Sequence, residues 1–72
     1  MNETKLNRIK VVMAEKDKTG LWLSERIVKS NTTVSKYINQ KVQPDLRTLN
    51  AIANALDVDV KDLLVSNREV LV

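Results

Sequence analysis

The side chains that carry most covalent and acid–base chemistry are missing from these 72 residues. There is no histidine and no cysteine, which removes the commonest general base, thiolate nucleophiles, disulfides and most transition-metal ligand sets. Asp57, Asp59 and Asp62 lie close enough in sequence to suggest a cation loop. A calcium loop needs a further acidic or amide ligand and a glycine at its sharp turn, which this stretch lacks. Helix capping by Asp59, with Asp62 three residues on, accounts for them better. The single glycine leaves no phosphate-cradling loop. The expectation is a non-enzyme with no cofactor and no metal. What remains is hydrogen bonding and charge, and both gather around one polar run, Asn31, Thr32, Thr33, Ser35 and Lys36.

Charge is divided along the chain. Residues 1–44 hold nine Lys and Arg against four acids, a net +5, whereas residues 45–72 hold three against five, a net −2. A basic half beside an acidic half suggests a polyanionic partner for the first, with nucleic acid the leading candidate. A solvated face explains the same excess equally well. Trp22 and Tyr37 are the only aromatics, too few for the base-stacking platforms of single-strand binders. Composition is that of a globular domain, 43% apolar and 29% charged with mean hydropathy −0.25. No apolar run approaches the roughly 20 residues that span a bilayer, and the polar N-terminus carries no signal sequence. A cytoplasmic location is expected, with no membrane partner.

Apolar spacing is helical throughout. Leu6, Ile9 and Met13, with Val12 beside them, predict a first helix from about Glu3 to Lys16. Thr19 is an N-cap for a short second helix, Thr19 to Ile27, and Ser30 caps a third, Asn31 to Ile38, with Val34 and Ile38 inward. A polar loop, 39–44, closes at Pro44. Asp45 caps a fourth helix, about Leu46 to Ala55, and Asp59 a fifth, Val60 to Val65. The prediction is an all-α, compact five-helix domain over 1–65, with a tail, 66–72, that is frayed or forms a strand or a dimer contact. Two short helices joined by about three residues, the second opening on small polar side chains, match a helix-turn-helix at about 19–38.

From Thr19, Gly20, Leu23, Ser24, Val28, Ser30, Thr33, Val34 and Ser35 through Ile38, Asn39, Gln40, Lys41 and Pro44, the chain resembles the phage repressor/Cro family of helix-turn-helix DNA-binding domains. Leu46, Leu49, Ile52, Ala53 and Leu56, then Asp62, Leu63 and Leu64, extend the likeness to about residues 5–65. Three positions that the family usually fills with glycine hold Asp17, Val28 and Gln40. If positive φ persists there, each costs about 1 kcal/mol, and more at β-branched Val28. A family ion pair is replaced by Met13 and Ile38, expected to touch in the core. Substituting both partners leaves no unpaired charge.

With Val34 and Ile38 inward, Asn31, Thr32, Ser35 and Lys36 face outward, and the resemblance places them at base-reading positions in a major groove. Asn pairs bidentately with adenine, Lys reaches guanine O6 and N7, and the Thr methyl meets thymine's. Phosphate contacts are expected from Thr19, Gly20, Ser30, Thr33, Tyr37, Asn39 and Lys41. Gly20 stands where the family has a phosphate-binding Gln, so only its backbone N–H can serve there. Thr19 and Ser30 are also required simply as caps, and isolated lysines are most often just solvated. Trp22 is expected to pack on a neighbouring helix or lie half exposed at a subunit contact.

The function so implied is sequence-specific duplex DNA binding by a repressor-like transcriptional regulator. It would act as a homodimer on a palindromic operator, since four reading residues per copy cover few base pairs. The alternative is an antitoxin-type module that neutralises a toxin partner, with DNA binding secondary. An exposed apolar patch at Trp22 or Val70–Val72 would favour it.

Overall fold

The computed structural model describes residues 5–66. Its four α-helices are α1 (Ile9–Glu15), α2 (Gly20–Ile27), α3 (Asn31–Ile38) and α4 (Leu46–Leu56), followed by a 3₁₀ turn at Val60–Leu63. Three of the helices start where a side-chain acceptor precedes them. Thr19 Oγ1 accepts from Trp22 N at 3.1 Å, Ser30 Oγ from Thr33 N at 3.1 Å, and Asp45 Oδ1 from Thr48 N at 2.8 Å. Each of these bonds satisfies a first-turn N–H that the helix itself leaves without a partner.

Two elements differ from expectation. Helix α1 begins at Ile9, not near Glu3. The backbone at 6–8 pairs with the far end of the chain instead: Arg8 N donates to Leu63 O at 2.7 Å, and Val65 N to Leu6 O at 3.1 Å, around an antiparallel bridge between Asn7 and Leu64. Asn7 Oδ1 then accepts from Ile9 N at 3.1 Å and starts the helix. Leu6, which the helical spacing placed inward, is 52% exposed. The fifth helix is a four-residue 3₁₀ turn rather than an α-helix over Val60 to Val65. Its i→i+3 bonds, Asp62 N to Asp59 O and Leu64 N to Lys61 O, close it before an α-helical turn can form. The expected capping box between Asp59 and Asp62 is present. Among the described residues the class is all-α, with four α-helices instead of five. The expected start at Glu3 and the apolar residues Val70, Leu71 and Val72 lie outside the described residues.

The core joins all elements. Ile9, Val12 and Met13 of α1 meet Leu23 of α2, Val34 and Tyr37 of α3, Leu49, Ile52, Ala53 and Leu56 of α4, and Leu63. The α4 stripe repeats every three to four residues, the spacing of one helix face. Asp17, Val28 and Gln40 all adopt positive φ, at 58°, 57° and 63°, and Asp57, which follows α4, does so at 60°. The glycine-type turns are therefore kept without glycine. Val28 is the most strained of them, a β-branched residue in the left-handed region, and it is 87% exposed.

Candidate nucleic-acid interface

Helices α2 and α3 pack directly on one another, and both also reach the core. The start of α2 lies against one face of α3. A Cβ placed on Gly20 would stand 3.5 Å from Ile38 Cδ1, 3.6 Å from Asn31 Oδ1 and 4.0 Å from Val34 Cγ1. On α3, Val34 and Tyr37 are buried, and Asn31, Thr32, Ser35 and Lys36 are all exposed. The four expected base-reading side chains thus share the outer flank of a helix whose other side is fixed in the core.

The expected phosphate positions separate into those that stand outward and one that does not. Thr19 and Ser30 are exposed caps, and Ser30 Oγ also donates to Thr33 Oγ1 at 2.9 Å. Thr33 is half-buried, and Gly20 half-buried beside Asn31. Asn39 and Lys41 are exposed at the far end of α3. There the loop folds back on the helix: Lys41 N donates to Lys36 O at 2.9 Å, and Asn39 Nδ2 donates to Ser35 O at 3.0 Å and Ser35 Oγ at 3.3 Å. Ser35 and Asn39 are consequently one hydrogen-bonded unit. Tyr37 differs in that most of its side chain is buried. It belongs to the core with 7% of its surface exposed, because the buried stripe of α3 runs through Val34 and Tyr37, with Ile38 at its rim. Met13 is buried, and it lines one hollow together with the half-buried Ile38.

Two residues that matter here were not marked by the sequence as site residues. The Gln40 side chain clamps the N-terminal segment: Nε2 donates to Asn7 O at 2.8 Å and Asn7 Oδ1 at 3.1 Å, while Oε1 accepts from Leu6 N at 3.2 Å and Asn7 N at 3.4 Å. Asn7, 4% exposed, donates in turn to Tyr37 O at 3.2 Å and Gln43 Oε1 at 2.8 Å. The one available signal was Gln40 itself, an amide in a glycine position. The clamp sets Lys5, Arg8 and Lys10 around the same hollow as Asn39. Three carboxylates, Asp57, Asp59 and Asp62, line a separate hollow between the end of α4 and the 3₁₀ turn. Among the described residues, no group of three or more His, Cys, Asp or Glu is placed to hold a metal.

Trp22 packs on the core, and its ring lies 4.7 Å from Lys18 Nζ and 5.0 Å from Arg26 Cζ. Each four residues from Trp22 along the chain, one before it and one after, these cations occupy the ring by cation–π attraction. The apolar patch that an antitoxin-type partner would need at Trp22 is therefore capped by charge.

A capped helix pair with a polar outer flank, held by further helices around one core, defines the class of helix-turn-helix DNA-binding domains. The chain belongs to the Cro/C1-type helix-turn-helix DNA-binding domain family, whose model matches residues 8–69. It is similar to the crystal structure of a candidate DNA-binding protein from Bacteroides fragilis, at 47% identity and a TM-score of 0.82, over 83% of this chain and 97% of that one. A search of curated proteins finds no match. No helix among the described residues is long and apolar enough to cross a membrane.

Proposed function

We propose that the protein is a sequence-specific regulator of transcription that lays α3 in the major groove of duplex DNA. The observation that carries this reading is the outer flank of α3, where Asn31, Thr32, Ser35 and Lys36 are exposed side by side while Val34 is fully buried behind them. These side chains read base edges, and Thr19, Gly20, Ser30, Thr33, Asn39 and Lys41 hold the backbone on either side. Phosphate contacts set register and affinity, and base contacts set preference. One copy covers few base pairs, so two copies act as a homodimer on a palindromic operator with half-sites about 34 Å apart. The chemistry is binding alone, with no catalytic step.

Selection of preferred sites from a random duplex pool, followed by binding titrations at several salt concentrations, tests the reading. The expected result is a pseudo-palindromic consensus, bound at least a thousand-fold more tightly than scrambled duplex, which is the low end for specific binders. Enrichment of no sequence at all would overturn it.

A further inference from the structure

Two hollows lie side by side on the molecule and share Lys10 and Ile38. One runs to Gly20 and Lys18 at the start of α2, and the other to Asn39 and Lys5 at the end of α3. Together they make a shelf joining two positions already assigned to the DNA backbone, Gly20 and Asn39, with Lys10 midway. Among the described residues, no Asp or Glu lines either hollow. The residues that would have put a charged pair here are Met13 and Ile38, so the shelf has an apolar floor and lysines at its edges. Lys5 and Lys10 are exposed, and the Gln40–Asn7 clamp fixes the segment that presents Lys5.

We propose that this shelf is a further binding site for backbone phosphates of the same duplex, with Lys10 and Lys5 as its ligands. The proposal rests on the duplex-binding reading above. With no carboxylate among the described lining residues, Lys5, Lys10 and Lys18 give the shelf a positive edge, which attracts a polyanion and releases its counterions. The site adds affinity without sequence preference, because phosphates carry no sequence information directly.

The salt dependence of affinity for the selected duplex and for a scrambled one, in the full chain, is the test. Lys10→Gln should lower the slope of log affinity against log salt by about one on both duplexes, and adding Lys5→Gln should take away about one more. Lys61→Gln, an equal charge change beside the acidic hollow, should leave the slope unchanged. Equal slopes for wild type and Lys10→Gln, or equal losses for Lys10→Gln and Lys61→Gln, would overturn the shelf while leaving sequence-specific binding intact. A wild-type chain that binds no duplex would overturn both.

Discussion

Gln40 holds the peptide of Asn7 from both sides, its Nε2 donating to Asn7 O at 2.8 Å and its Oε1 accepting from Asn7 N at 3.4 Å. A side-chain amide here does the work of a neighbouring strand, at a residue whose own backbone sits at φ 63°. Replacing Asn7, whose buried side chain makes four hydrogen bonds, by Ala should cost about 2 kcal/mol of stability, since it leaves Ile9 N without its side-chain acceptor and takes one partner each from Tyr37 O, Gln43 Oε1 and Gln40 Nε2. Gln40→Ala keeps the strained φ and loses the clamp, whereas Gln40→Gly loses only the clamp. Denaturant unfolding should find Gln40→Ala the less stable of the two by about 1 kcal/mol. Equal stability would mean the backbone there is not strained.

Val28 pays a conformational penalty with almost no packing in return, being at φ 57° and 87% exposed. Val28→Gly should stabilise the fold by about 1 kcal/mol, raising Tm by roughly 4–8 °C for a domain of this size. A lowered Tm would show that the valine side chain has a partner.

Asp45 links stability to pH. Its hydrogen bonds from Thr48, side chain first and backbone second, hold its carboxyl below the ordinary value of 3.8, with minor help from Lys29 and Arg47. The folded carboxylate gives up stabilisation when protonated, so its contribution is complete above pH 3.8 and fades as pH falls through the lower folded value. Asp45→Asn keeps a cap and removes the titration. Thermal melts should show the variant close to wild type near neutrality and less sensitive to acid below pH 4. An unchanged acid profile would contradict this.

At Gly20 there is room for a side chain, because an added Cβ meets its neighbours at ordinary van der Waals distances of 3.5–4.0 Å. Gly20→Gln should therefore fold normally and tighten binding to preferred and scrambled duplexes alike, by a few-fold, through one added phosphate contact. Binding that tightens on one sequence only would place residue 20 at a base instead.

The sequence made local features legible and long-range ones not. Thr19, Ser30 and Asp45 announce their helices because a cap acts within three residues. The left-handed turns at Asp17, Val28 and Gln40 were visible only as departures from a glycine pattern, and Asp57 carried no such mark. The start of α1 was misplaced because Leu6, Ile9 and Met13 keep helical spacing across a boundary set by partners at 40 and 63–65. The burial of Tyr37 was not legible, because Val34 and Ile38 alone define a plausible inner stripe. Burial of Tyr37 turns that stripe slightly, leaving Ile38 at its rim. The outward flank of α3 was legible in full, since a capped eight-residue helix with one buried valine fixes which side is free.

The central claim is that this flank reads bases, and Asn31 is its most discriminating member. Measuring Asn31→Ala against the selected site and a scrambled duplex tests that claim most directly. Affinity for the selected site should fall by about 1–3 kcal/mol, with scrambled binding and the salt slope unchanged. An equal loss on both duplexes, or no loss on either, would contradict it.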